Sequence, residues 1–177
     1  SNALLYRSGD DGDSWQFHAT IAAGDYNETC IHVVDEKRCL AAARTFNNQT
    51  VHLFLSDDGG DHWRFHEPVT GAYEHNAHLM TLPDGRILMT YGIRHPHDLA
   101  LAIRVSPDKG TTWRRPHRLL QIDDVERYDG GYPSGVTVGD DRILTAYYTK
   151  RSPWHQRYHM GTLFWNWKKE LDRDFDR

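Results

Sequence analysis

The feature that most constrains this chain is a short segment that occurs three times. SGDDGDSW (8–15), SDDGGDHW (56–63) and SPDKGTTW (106–113) share the pattern Ser-x-Asp-x-Gly-x-(Ser/Thr)-Trp, with His62 as the one departure. Their first serines, at positions 8, 56 and 106, are 48 and 50 residues apart. A regular period in this range is typical of propellers, solenoids and other repeat proteins.

Each repeated segment lies between two strand-like runs and is therefore predicted to form a hairpin turn. The aspartate can accept hydrogen bonds from turn amides, the glycine allows a positive φ, and the tryptophan can cover the turn. A calcium or ligand loop is the alternative, but each segment offers too few oxygens for an ion that takes roughly six to eight. We expect a structural role for the shared positions Asp10, Gly12, Trp15, Asp58, Gly60, Trp63, Asp108, Gly110 and Trp113.

Between these turns the chain repeats a strand, a tight turn, a second strand, a connection and a third strand. Four antiparallel strands per repeat predict an all-β fold, the β-propeller. We expect two strands of one blade, full blades near 27–67 and 74–121, and three strands of another near 131–166, thirteen strands in all. The incomplete blades leave open edges, which either missing N-terminal chain or a second copy of this chain would close.

Composition excludes several functions. The net charge is −4, and the scattered Lys and Arg residues form no basic stripe for nucleic acid. No apolar run approaches the roughly 18 residues of a membrane span. Cys30 and Cys39 could form a disulfide across a hairpin. Two cysteines are too few for a disulfide-stabilised fold, however, and we expect free thiols.

The chain is predicted to divide into three parts: residues 1–3, which match a tag-cleavage remnant, a partial propeller over 4–166, and a charged tail over 167–177. The tail shows no obvious capping signal. The native N-terminus is expected to be absent, which leaves a secreted or periplasmic location open.

Strand topology also predicts where chemistry lies. In an antiparallel blade, the start of the first strand and the end of the second share one end of the sheet, opposite the repeated turns. Those positions hold Glu28, Arg44, Arg94 and Tyr132. We expect these four side chains to converge on one rim.

With these residues in place, the sequence resembles the sialidase superfamily, whose six-bladed propellers carry repeated turns called Asp-boxes. The resemblance covers the C-terminal half or so of such a propeller. Asn27-Glu28 and Arg44 in NETCIHVVDEKRCLAAAR, Arg94 in YGIR and Tyr132 in GYPSGVTVGDDRILTAYY follow the order of the family motifs.

The resemblance implies that Tyr132 is the nucleophile, Glu28 its base, and Arg44 and Arg94 the forks that bind a sialic acid carboxylate. A neutral nucleophile suits such a substrate, because a carboxylate nucleophile would be repelled. No cofactor or metal is required. The family's acid/base aspartate and first arginine would lie in earlier blades, so the fragment alone is expected to be inactive.

Two departures add candidates. Tyr148 stands where an acid usually follows the closing-strand tyrosine, and His75, His78, His95 and His97 crowd the third blade. We treat His75, His95 and Tyr148 as candidate substrate contacts and expect no metal site. The alternatives to an exo-sialidase are a non-catalytic carbohydrate-binding propeller and an enzyme that hydrolyses or eliminates another acidic glycan.

Overall fold

A computed structural model of the chain describes residues 1–123, 129–150 and 157–172. The chain divides into two compact units, Ser1–Ala72 and Tyr73–Arg177. The described residues contain thirteen β-strands and one short helix. The predicted number of strands is therefore confirmed.

The first unit contains one incomplete and one complete blade. Strands β1 and β2 form a two-stranded antiparallel sheet, and the next four form a sheet in the order β3-β4-β5-β6. Their bounds are β1 Ala3–Arg7, β2 Gln16–Ala22, β3 Tyr26–Val33, β4 Cys39–Thr45, β5 Val51–Ser56 and β6 Arg64–Pro68. Both sheets match the predicted blades.

The second unit also contains one complete and one incomplete blade. One sheet has the order β10-β9-β8-β7, and the other has the order β11-β12-β13. The bounds are β7 Glu74–Thr81, β8 Ile87–His95, β9 Asp98–Ser106, β10 His117–Asp123, β11 Gly130–Val138, β12 Arg142–Thr149 and β13 His159–Asn166. The prediction of one full blade and three strands of the next is confirmed.

The second strand of each complete blade forms the core of its sheet. Residues 39–43 of β4 and 87–93 of β8 are buried without interruption. Each strand is hydrogen-bonded on both edges and covered on both faces, so alternation gives way to a continuous apolar run. Cys39 is buried, Cys30 is half-buried, and both are free thiols, as the sequence favours.

The chain then forms a helix, α1 Trp167–Leu171, which the sequence analysis did not define. Asn166 caps it, its side chain accepting a hydrogen bond from the backbone N–H of Lys169 at 2.9 Å. Trp167 and Leu171 are buried in the core of the second unit. The segment predicted to be a charged tail therefore begins with a capped helix that packs on the core of the second unit. Residues 173–177 lie outside the described residues. Within the part of the chain described here, no helix has the length and apolarity to cross a membrane.

The three repeated segments are hairpin turns, as predicted, and share one hydrogen-bond network. In each turn the serine Oγ accepts from the glycine N–H at 2.8–2.9 Å and donates to the aspartate Oδ1 at 2.7–2.9 Å. The other aspartate oxygen accepts from the side chain four residues on: Ser14, His62 or Thr112, at 2.6–2.7 Å. His62 thus replaces the hydroxyl with an imidazole N–H.

These bonds keep the turn aspartates ionised. Hydrogen bonds from Ser14 and Ser8 lower the pKa of Asp10 to about 2, and those from the His62 backbone and ring and from Ser56 do the same for Asp58. A carboxylate whose pKa falls on folding stabilises the fold above its unfolded pKa, near 4. This contribution is lost as the pH falls toward 2.

Burial should decide how much each turn contributes to stability. Ser106 and Gly110 are buried, whereas Gly12 in the first turn is exposed. We expect Ser106→Ala to lower the free energy of unfolding by about 1–3 kcal/mol, because the Gly110 N–H loses its acceptor out of reach of water. The matched change Ser8→Ala should cost under about 1 kcal/mol, since water can replace the lost oxygen. Urea denaturation of both variants measures the difference, and equal costs would contradict this explanation.

Candidate functional site

The first unit brings together an acid and an arginine that the sequence predicts to be neighbours. Glu28 lies near the start of β3 and Arg44 near the end of β4. Both carboxylate oxygens of Glu28 lie 3.0 Å from Nη1 of Arg44. The Arg44 side chain is 14% exposed, and that of Glu28 is 36% exposed. Their proximity is confirmed, whereas their roles toward a substrate stay predictions.

A bulge orients Glu28 toward this contact. The register between β3 and β4 shifts between Tyr26 and Thr29, the stretch that contains Glu28. Such irregularities re-aim side chains at the end of a strand. This ion pair balances part of the charge of Arg44 within the protein.

In the second unit, two glycines allow β8 and β11 to approach closely. A Cβ at Gly92 would lie 2.7 Å from the carbonyl oxygen of His75, and one at Gly131 would lie 3.3 Å from the Cα of Gly92. Gly131 also has φ +94°, a conformation that favours glycine. The end of β8 and the start of β11 are thereby held side by side, which brings Arg94 to Tyr132.

Around these strand ends lies a group of five side chains that we call the Arg94 cluster. Its members are Arg94, Asp129, Tyr132, Tyr148 and Tyr158. Asp129 Oδ1 accepts hydrogen bonds from Arg94 Nη2 at 2.5 Å and from the Tyr148 hydroxyl at 2.7 Å. The Tyr158 hydroxyl donates to Oδ2 of Asp129, and Arg94 Nη2 also donates to the Tyr148 hydroxyl at 3.1 Å. Asp129 is thus the acceptor around which the cluster is built.

Tyr132, the predicted nucleophile, occupies an unusual backbone position in this cluster. Its φ is +50°, and the register between β11 and β12 shifts between Gly131 and Ser134. A non-glycine residue rarely adopts such a φ, and strained positions of this kind concentrate at functional sites. The Tyr132 ring lies 5.6 Å from the Arg94 guanidinium carbon and 5.4 Å from the ring of Tyr148.

The cluster changes the ionisation of its members in opposite directions. Burial, together with the hydrogen bond to Asp129, raises the pKa of Tyr148 to about 12. The bond to Asp129 also raises the pKa of the exposed Tyr158. Burial alone would raise the pKa of Asp129, but the two phenols and the charge of Arg94 outweigh it, and the pKa is lowered. At neutral pH Asp129 is therefore a carboxylate, and Tyr148 and Tyr158 are neutral phenols.

The two histidines predicted as substrate contacts occupy different environments. His75 is fully buried, with Nδ1 3.0 Å from Oδ1 of Asn76, so its ring offers no surface to a sugar. His95 is partly exposed, with Nε2 3.8 Å from the carboxylate of Glu74. Within residues 1–123, 129–150 and 157–172, no three His, Cys, Asp or Glu side chains are grouped to hold a metal ion.

Sequence reasoning missed Asp129 and Tyr158. Asp129 lies just before β11, a first strand, but the sequence motif placed the start of that strand at Tyr132. Tyr158 was missed because only the starts of first strands and the ends of second strands were considered, yet the third strand of a blade also starts at that end of the sheet. The register shows this, because Thr149 pairs with both Gly130 and His159. Residues just before β11 and β13 therefore reach the same place, and Asp129 and Tyr158 hold those positions.

Comparison with known proteins agrees with this architecture. The chain belongs to the BNR repeat-like domain family, whose model matches residues 1–145. No curated protein sequence matches the chain significantly. The resemblance to sialidase-type propellers is confirmed at the level of family and fold.

Solved structures extend the likeness to almost the whole chain. A protein of unknown function from Dyadobacter fermentans has a TM-score of 0.75 and 25% identity, over 92% of this chain and 45% of that one. An α-L-arabinanase from Penicillium chrysogenum, solved with arabinobiose, has a TM-score of 0.67 and 14% identity, over 91% of this chain and 53% of that one. A Hadza microbial sialidase has a TM-score of 0.63 and 19% identity, over 92% and 31%.

These likenesses show an all-β fold, a partial β-propeller. The chain spans about half the length of the first two structures that it matches. The arabinanase and the sialidase share this fold although their names refer to different substrates. The fold alone therefore does not determine the function of this chain.

The link between Asp129 and Tyr148 can be tested by titration. A phenol that donates to a carboxylate is stabilised in its neutral form, so Asp129→Asn should lower the pKa of Tyr148 from about 12. Burial persists, and the value should stay above the ordinary one near 10. NMR of tyrosine labelled at Cζ measures this directly.

Asp140→Asn provides the matched control for that titration. It removes the same charge from the exposed turn between β11 and β12, at the far end of the sheet and about 20 Å along the strand from Tyr148. The Tyr148 pKa should be unchanged in this variant. A Tyr148 pKa that stayed constant in Asp129→Asn would refute the assignment.

Proposed function

We propose that this chain is part of a carbohydrate-active enzyme, a glycoside hydrolase of the sialidase type with Tyr132 as its nucleophile. The observation that carries this proposal is the position of Tyr132: a phenol on a strained strand start, beside a guanidinium and an ionised carboxylate. Such a group of charged and phenolic side chains at one end of a propeller sheet suits the binding and cleavage of a glycan.

In the proposed reaction, the Tyr132 oxygen attacks the anomeric carbon as its proton passes to a base, and the bond to the leaving group breaks. The departing oxygen receives a proton from an acid in the part of the protein outside this chain. Water then attacks the anomeric carbon and breaks its bond to the Tyr132 oxygen, losing a proton to the deprotonated acid, while the protonated base returns its proton to the phenolate. Glu28 keeps the role of base that the resemblance implies.

The finer form of this proposal is an exo-α-sialidase acting on a terminal acidic sugar. In that form Arg44 and Arg94 bind the substrate carboxylate, and Tyr148 and His95 contact the sugar. The resemblance of the motifs supports this form. The three repeated turns would then be Asp-boxes, acting as scaffold and taking no part in the chemistry.

A specific observation favours a second candidate, a hydrolase for a glycan without a carboxylate. Each of the two arginines proposed to bind an acid is already paired with a carboxylate of the protein: Arg44 with Glu28, and Arg94 with Asp129. An arginine paired in this way offers less charge to a ligand.

In both forms, the missing part of the active site would come from outside this chain. We propose that N-terminal blades of the parent protein supply the acid/base, with closure by a second copy of the chain as the alternative. Mass measurement in solution distinguishes a monomer from such a dimer.

The nucleophile is tested in the parent protein with fluorogenic sialoside and α-L-arabinofuranoside substrates in parallel. Tyr132→Phe should reduce kcat roughly a thousandfold or more on whichever substrate is cleaved, because the covalent route is lost. Tyr147→Phe is the matched control, since the Tyr147 ring packs on Gly161, away from the cluster. Removal of the Tyr147 hydroxyl should leave kcat unchanged. Full activity in Tyr132→Phe would exclude a tyrosine nucleophile, and rapid turnover by the 177-residue chain alone would exclude an acid/base outside it.

A further inference from the structure

We propose that Asp129 makes the Arg94 cluster selective for an uncharged sugar, because this carboxylate already occupies Arg94 where the carboxylate of an acidic sugar would bind. The inference rests on the proposed function, in which this cluster faces a glycan. It assigns a substrate class and a specificity-determining residue, Asp129, that the motifs alone do not indicate.

The hydrogen bonds of Arg94 leave its guanidinium without a free two-point site for a ligand carboxylate. A guanidinium binds a carboxylate in a two-point mode through Nη2 together with either Nη1 or Nε. Nη2 carries two hydrogens, and it donates to Asp129 Oδ1 at 2.5 Å and to the Tyr148 hydroxyl at 3.1 Å. Both two-point modes are therefore closed to a ligand while Asp129 is in place.

The placement of Asp129 also opposes a ligand carboxylate. Besides Arg94, it accepts hydrogen bonds from the hydroxyls of Tyr148 and Tyr158, so donors hold both of its oxygens. The Arg94 side chain is only 12% exposed, which leaves little room for approach from another side. A ligand carboxylate would have to break three hydrogen bonds or lie against a like charge, and both are costly.

The same cluster suits a neutral sugar. The rings of Tyr132, Tyr148 and Tyr158 follow one another at 5.4 and 5.8 Å between centroids. Aromatic rings of this kind offer an apolar face to a sugar ring, and tyrosine adds a polar tip. The Asp129 side chain is 42% exposed and can accept hydrogen bonds from sugar hydroxyls. The site therefore offers contacts to hydroxyls and C–H faces in place of an anion site.

Two matched pairs of sugar probes test the inference in the parent protein, where the complete site is present. Methyl β-D-glucoside and methyl β-D-glucuronide differ only at C6, and the methyl ester of N-acetylneuraminic acid differs from the free acid by one methyl group and by the loss of the negative charge. We expect the wild-type protein to bind the neutral member of a pair at least about tenfold more tightly. NMR titration of the labelled tyrosines gives the dissociation constants.

Asp129→Asn keeps the shape and one acceptor oxygen but removes the charge, so Arg94 becomes able to attract an anion. The acidic member of each pair should then gain roughly tenfold in affinity, while the neutral member changes less than about threefold. Asp140→Asn, which removes a charge from the far end of the sheet, should leave both affinities as in the wild type.

The outcomes separate this inference from the proposed function. If the wild-type protein binds the acidic members as tightly as the neutral ones and Asp129→Asn leaves the ratio unchanged, the inference is wrong while the glycan site stands. If no variant binds any of the four sugars, the proposed function fails and the inference fails with it. A preference that moves toward acidic sugars in Asp129→Asn alone supports both.

Discussion

Antiparallel pairing places successive strand ends alternately at the two ends of a sheet, and the rest of the structure depends on this constraint. In each complete blade, the turn after the third strand carries the repeated serine-aspartate network at one end. The other end receives the start of the first strand, the end of the second and the start of the third. Glu28 and Arg44 meet at that end in the first unit, and the Arg94 cluster assembles there in the second. The repeated turns and the candidate site residues are thereby separated by strand direction alone.

Both candidate arginines, Arg44 and Arg94, have their charge balanced by a carboxylate of the protein. The predicted ligand-binding arginines are both paired with carboxylates, and in the second unit the carboxylate also holds two phenols. Such pairing lets a guanidinium remain mostly buried without an uncompensated charge. The pairing also weakens the attraction of the arginine for an anionic ligand, so that its main effect is to position the neighbouring side chains.

Periodicity predicted the blades well, because the repeated turns and the strand pattern between them are local features of the sequence. The meeting of Glu28 and Arg44 also followed from strand order alone. Asp129 and Tyr158 were missed because they lie just outside strands, where no pattern marks them and only the register brings them to Arg94. The burial of His75 likewise depends on the close packing of its strand, which composition does not reveal. The charged tail was the one place where the sequence left room for a helix, and the helix at Trp167–Leu171 lies there, but its bounds could not be predicted because its apolar residues lie among charges.

The contact between Gly92 and Gly131 has a consequence for how this chain can vary. The distance between the Arg94 guanidinium and the Tyr132 ring depends on two glycines, because the absence of side chains at these positions lets the two strands approach closely. A methyl group at Gly92 would press on the His75 carbonyl and push the two strands apart, leaving every charged and phenolic group present but out of reach. A substitution at either glycine would therefore disrupt the cluster although all five of its side chains are retained.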